Sequence, residues 1–412
     1  MREQERTGYY LVCPAGIPNY GDELIAATWL GYLAESAPHA DVVVDCIGPE
    51  AAARRLAGIH PRTRFHNVLW QLCVDNLSPD SARTAAAVAE AVREPAAHPA
   101  LADGLAALLT ADVVHLLGGG FINGIWPPFV GLLSGIATAA QRSGGRAAMT
   151  GQGLWPPAEG ADAVIRSLAK DFDVVDVRDA ASAGLLGAGS GVCSSDDVFL
   201  GAGPGLFHDG DDVPDVMVSV QSLLNGTEPD ELARYIAKVV RGWGAQRVGL
   251  LECAPTQDAE VLAVVRRALP GARTYAMTDV LARGLPVRPG QAWLSTRFHP
   301  HLVAAAGGAS GVALSVRPDY YGTKHRSLTD GGSNWRLLEG LEVPDRPAAG
   351  GYRPETLVRL RAAKRALAAR IYGDPAGDGG RPAAGARSAR PGHRFQQGDD
   401  GAGGRGLLDL CP

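Results

Sequence analysis

Positive charge is scarce in this chain. Across 412 residues, 39 Lys and Arg stand against 44 Asp and Glu, a net charge of −5. Broad electrostatic attachment to nucleic acid or to an anionic membrane needs clustered cations, so both are excluded as partners, although a local basic pocket stays open. Long apolar runs are missing too. No window approaches the roughly 18 uninterrupted apolar residues of a membrane span, and no signal-peptide-length stretch precedes the first strand-like run. The six cysteines, Cys13, Cys46, Cys73, Cys193, Cys253 and Cys411, contain no C-x-x-C pair, which leaves no thioredoxin-like or zinc-knot spacing. No cluster of Asp, Glu, His and Cys sits at metal-ligand spacing, so no obligatory metal is expected. These absences describe a reduced, cytoplasmic, mildly acidic globular protein.

What the chain does have is a 46% hydrophobic content, and a length that suits two domains. Strand-like runs at 9–16, 40–48, 111–120, 146–153 and 174–179 alternate with helical patterns at 22–36, 80–93, 98–109, 129–143 and 161–171. Continuous apolar strands, bounded by glycines and spaced by helices, imply a parallel sheet covered on both faces. A Gly-, Asp- and Pro-rich segment at 201–215 reads as a linker. The βα rhythm then restarts, with strands at 216–221, 247–253, 273–278, 292–298 and 311–316. The simplest topology is two doubly wound α/β domains, 1–200 and 216–345. A helix is expected at 354–372, with Pro354 in its first turn and Gly373 after its end. The last 40 residues carry 11 Gly and 4 Pro, the composition of a disordered tail.

Ligands of open α/β sheets bind outside the carboxyl ends of the strands, so the polar residues there matter most. Gly16–Glu23 turns strand one into a helix, with Asn19 nearby and Asp22 at the expected N-cap position. Gly118, Gly119 and Gly120 follow a strand and could present backbone N–H groups as an anion nest, or simply make a tight turn. They match neither the dinucleotide fingerprint nor the P-loop. Arg178 and Asp179 close another strand, with Asp179 placed to cap the next helix. Arg297 and His299 end a strand in the second half, and residues two apart on a strand share a face. Together they offer a guanidinium fork for an anion and a proton donor near neutral pH. Tyr321 and Lys324 follow the last strong strand. Lys324, His325 and Arg326 read either as a solvated basic cluster or as part of an anion site.

In this order the segments resemble the polysaccharide pyruvyl transferase family. The resemblance rests on N-x-G-D at Asn19, Gly21 and Asp22, the glycine triplet at 118–120, G-x-G at 151–153, V-R-D at 177–179, R-x-H at Arg297 and His299, and Y-x-x-K at Tyr321 and Lys324. It runs from about residue 10 to 330. Where the family often has a Gly-x-Pro turn after the R-x-H helix, this chain reads GGASGV at 307–312.

The resemblance implies a GT-B-like fold, two facing Rossmann-like domains with the site in the cleft between them. It also implies transfer of pyruvate from phosphoenolpyruvate, as a ketal, onto sugar hydroxyls of a cell-surface glycan or its lipid-linked precursor. On that reading His299 and Asp22 are catalytic, with His299 the acid that protonates the donor's methylene carbon. Arg178, Arg297, Lys324 and the glycines 118–120 hold the donor, and Asn19 and Tyr321 line the acceptor side. No cofactor is expected beyond the co-substrate phosphoenolpyruvate. A homo-oligomer remains among the options. The rival readings are a GT-B glycosyltransferase with a nucleotide-sugar donor and a non-catalytic glycan-binding protein of the same fold, since fold does not fix function.

Overall fold

The computed structural model describes residues 7–208, 212–221, 227–315, 322–348 and 350–373. Tyr321 and the tail from residue 374 onward lie outside the described residues.

The first sheet has seven strands: β1 (Gly8–Val12), β2 (Asp41–Asp45), β3 (Thr63–His66), β4 (Val113–Leu116), β5 (Arg146–Gln152), β6 (Val174–Val177) and β7 (Val192–Cys193). Their spatial order is β3-β2-β1-β4-β5-β6-β7, and every pairing is parallel. Four consecutive buried residues in β4 and in β6 are what a sheet covered on both faces requires.

The second sheet contains β8 (Val216–Ser219), β9 (Val248–Leu251), β10 (Arg273–Tyr275), β11 (Ala292–Ser295), β12 (Ser310–Leu314) and β13 (Arg336–Leu338). Its order is β10-β9-β8-β11-β12-β13, again with all pairings parallel. In each sheet the winding reverses beside the first strand, between β1 and β4 and between β8 and β11. Such switch points leave a crevice at the strands' carboxyl ends.

Three strands escape sequence patterning: β3, β7 and β13. Each is an edge strand of two to four residues, and β3 and β7 bury none of theirs, so no apolar run marks them. The N-terminal cap of the first long helix, α1 (Tyr20–Ser36), is a correction. Asn19 rather than Asp22 is the cap, its side chain accepting from the Gly21 N–H at 3.0 Å. Asp22 and Glu23 occupy the first turn, where the helix dipole favours acids.

The C-terminal helix Pro354–Tyr372 returns to the first domain. Fully buried Lys364 puts its Nζ 2.7 Å from Asp176 and 2.8 Å from Asp197. At the helix end, the Tyr372 hydroxyl lies 2.7 Å from His115 Nδ1. One buried apolar cluster runs through both halves, joining Trp29 and Phe199 to Trp293 and Leu302, with Leu367 of this helix. Two Rossmann-like halves facing across a cleft, with a final helix crossing back, make the fold GT-B-like. No described helix is long and apolar enough to cross a membrane.

Candidate functional site

A cavity of about 190 Å3 opens where the carboxyl ends of the two sheets meet. Asn19 reaches it from the turn after β1, Asp22 from the first turn of α1, Gly120 from the turn after β4, and Arg178 from the end of β6. Arg297, His299 and Lys324 reach it from the second domain. The chain therefore brings together cations and acids separated by some 300 positions in sequence.

His299 lies in the first turn of the helix Phe298–Ala306, and Arg297 is that helix's cap residue. Strand alternation does not bring this pair together, as the sequence pattern implied, because β11 ends at Ser295. Ser295 Oγ instead ties down the turn, accepting from Arg297 N at 3.0 Å and donating to Arg297 O at 2.8 Å. Both side chains reach the cavity because they start a helix that points into the cleft. The His299 imidazole packs so closely on α1 that a Cβ on Gly21 would stand 1.8 Å from its Nδ1. This is the steric reason for glycine in the N-x-G-D segment.

The other side of the ring faces Asp196, a residue the sequence reading missed. Asp196 Oδ2 is 3.5 Å from His299 Nε2 and 3.7 Å from Arg178 Nη1. Its Oδ1 accepts from Val198 N at 3.0 Å, capping the short 3-10 helix Asp197–Gly201. Burial alone would raise this carboxyl, but His299, Arg178 and the Val198 N–H outweigh it and hold the pKa at about 2. The only signal in the sequence was an Asp-Asp pair just after β7, a strand too short to be recognised.

Arg178 is nearly buried, with its guanidinium 4.6 Å above the Phe298 ring from the opposite domain. A Cβ on Gly120 or on Gly153 would come within 2.6 Å of Arg178 Nη2. That corrects the anion-nest reading of the triplet. Gly118 N donates to Asp197 Oδ2 at 2.9 Å and Gly119 N reaches Gly151 O at 3.4 Å, so neither N–H faces a ligand. Gly120 lines the cavity and, with Gly153, clears space for a cation.

Lys324, near the start of the helix Thr323–Asp330, sits over Gly120. Burial and the neighbouring Arg178 push its amine well below the ordinary lysine range, against Asp22 and Asp179. Asp22 shifts the other way. Burial raises its carboxyl while His299, Lys324 and Arg178 pull it down. Arg297 shares its fork with the buried Asp258, which also accepts from the N–H groups of Cys253 and Ala254. The basic run 324–326 is split by its helix. Lys324 faces the cavity, His325 is buried against His301 with its Nδ1 3.0 Å away, and exposed Arg326 pairs with Glu339. A backbone bond of 2.8 Å from Tyr20 N to Cys253 O stitches the two domains beside the site. Among the described residues, no group of three or more His, Cys, Asp or Glu is placed to hold a metal ion.

Several solved structures are similar in overall chain path. An enzyme described as a putative UDP-N-acetylglucosamine 2-epimerase from Listeria monocytogenes has 12% identity and a TM-score of 0.49, covering 90% of this chain and 93% of its own. The UDP-GlcNAc 2-epimerase of Neisseria meningitidis, bound to UDP-GlcNAc, has 11% identity and a TM-score of 0.46, with 88% and 91% covered. The spinosyn rhamnosyltransferase SpnG has 14% identity and a TM-score of 0.39, with 88% and 95% covered. No curated protein sequence matches the chain. The polysaccharide pyruvyl transferase family profile matches residues 19–247, a span that takes in Asn19, Asp22, Gly120, Arg178 and Asp196. With more than half of its length so matched, the chain belongs to the polysaccharide pyruvyl transferase family, and it is a transferase.

Proposed function

We propose that the cleft takes a pyruvyl group from phosphoenolpyruvate and sets it as a ketal on two hydroxyls of a sugar in a glycan or lipid-linked saccharide, in the cytoplasm. The observation that carries this reading is the convergence of Arg178, Arg297, Lys324 and His299 on one cavity of about 190 Å3. Phosphoenolpyruvate is small and carries two anionic groups, which suits a few fixed cations gathered on one cavity.

The chemistry divides among the residues as follows. Arg178 and Lys324 hold the donor's anionic groups, with the shared fork of Arg297 beside them. His299 gives a proton to the methylene carbon, leaving an oxocarbenium-like centre at C2. A first acceptor hydroxyl bonds to C2 and passes its proton to Asp22, whose carboxyl burial raises above the ordinary aspartate value and so makes a stronger base. The bond from C2 to the phosphate oxygen then breaks, with its electron pair leaving on phosphate. The second hydroxyl closes the ketal. Of the two hydroxyl protons released, one replaces the proton spent on the methylene carbon and the other leaves with phosphate. Asp196 touches neither donor nor acceptor on this scheme, and it acts by fixing the orientation of His299.

The test is mass spectrometry of candidate glycolipid acceptors incubated with enzyme and phosphoenolpyruvate. The expected product is the pyruvate ketal adduct, with one phosphate released per adduct. Tighter binding of a UDP-sugar than of phosphoenolpyruvate, with no adduct formed, would reverse the choice of donor.

A further inference from the structure

A second cavity, of about 340 Å3, lies on the far side of α1 from the cleft. One face of α1, from Glu23 to Glu35, forms its floor over a length of about 18 Å. The floor and sides are apolar, with Leu24 and Ala27 of α1, Leu206 of the interdomain segment and Leu281 of the second domain all only partly buried. The rim is cationic. Arg54 and Arg55 of the helix α2 (Pro49–Leu56) face Arg361 and Arg365 of the C-terminal helix.

The polar wall has unspent capacity. Arg55 and Glu23 are almost wholly buried and pair at 2.8 Å, yet Arg55 Nε and Glu23 Oε2 have no partner among the described residues. Arg361 Nε is buried and equally unpartnered. Unmade hydrogen bonds at buried charged groups are costly, and the three residues that carry them all line one cavity. Glu23 pairs with Arg55 and Glu35 lies 4.0 Å from Arg365, so four arginines against two glutamates leave the lining net positive. That charge suits an anion, while the rest of the lining asks for an apolar body.

We infer that this groove is a second binding site, for a small amphiphile with one anionic head and an apolar chain. The head meets Arg361 and Arg55, and the chain lies along Leu24, Ala27 and Leu281. Such a ligand touches both domains and the segment joining them. It also rests on the first turn of α1, whose Asp22 lines the catalytic cleft. Occupancy therefore ties the two halves together in the arrangement that assembles the catalytic site. The inference requires nothing of the donor chemistry.

Calorimetry with octanoate, acetate and octanol tests it on the intact chain. Octanoate is expected to bind saturably, and acetate and octanol each at least about tenfold more weakly. Arg361→Gln should weaken octanoate by about tenfold, the worth of one charge-assisted bond. Ala27→Trp, which fills the groove without removing a charge, should abolish binding. Octanol binding as well as octanoate would remove the anion subsite, and acetate binding as well would remove the apolar one. Unchanged octanoate affinity in both variants would place the ligand elsewhere and overturn the inference. Phosphoenolpyruvate affinity, measured in the same variants, reports separately on the cleft.

Discussion

At the scale of single residues, the cleft works through side chains that press on one another across the domain boundary. His299→Ala should cut kcat by about 10²–10⁴, the usual loss with a general acid, and raise the donor KM far less, because the cations hold the anion. A variant that loses donor affinity but keeps most of its kcat would make His299 a binding residue. Asp196→Asn should lower kcat, since the ring loses its orienting partner, and KM should change by less, through the Arg178 guanidinium that Asp196 also faces. Gly21→Ala should resemble His299→Ala, as its methyl would occupy the space of the imidazole. Lys324 supplies a pH signature. Its folded-state pKa lies below the lysine value of about 10.4, so the ammonium that holds an anion is lost at lower pH than for a free lysine. Donor affinity should therefore fall as pH rises, starting below that value, and Lys324→Arg should flatten the dependence. A wild-type Kd constant up to pH 10.4 would remove Lys324 from the donor site.

At the scale of elements, the C-terminal helix is held by a charge rather than by grease alone. Lys364 is wholly buried between Asp176 and Asp197. Those carboxylates raise its amine above the ordinary range although burial works the other way. Lys364→Met would leave two carboxylates buried without their cation, at a cost of about 3–5 kcal/mol. A large drop in Tm is expected by scanning calorimetry, and an unchanged Tm would mean the helix is held by its apolar face alone. The helix itself was legible, because Pro354 and Gly373 bracket it. Its docking was not, because one lysine in an Arg-rich helix looks like every other until Asp176 and Asp197 are placed under it. The same contrast holds for strands. Central runs such as YYLV of β1 announce themselves through continuous apolar character, whereas TRFH of β3 is an edge strand with nothing buried. The glycine triplet was visible as a motif, but its use as room for Arg178 depends on a side chain that arrives from another strand.

At the scale of the whole molecule, the site exists only where the halves meet. Arg178 of the first domain stacks on Phe298 of the second, Asp196 of the first faces His299 of the second, and a backbone bond joins Tyr20 to Cys253. The two-domain rhythm and most cleft residues could be read from sequence, because strand carboxyl ends are where ligands bind. The pairing of Asp196 with His299 spans both domains and leaves no trace in local spacing. If the halves act as one unit, substitutions on opposite sides must not be additive. Phe298→Leu removes the ring beneath Arg178 while keeping a buried apolar side chain, and Arg178→Ala removes the guanidinium. A double-mutant cycle on donor affinity should show a coupling of about 0.5–2 kcal/mol, the range of a cation–π contact. The double variant should bind the donor hardly less well than Arg178→Ala alone, because Phe298 acts chiefly by fixing that guanidinium. Additive losses would mean that Phe298 meets the ligand by itself, and that the cleft is two independent walls rather than one assembled site.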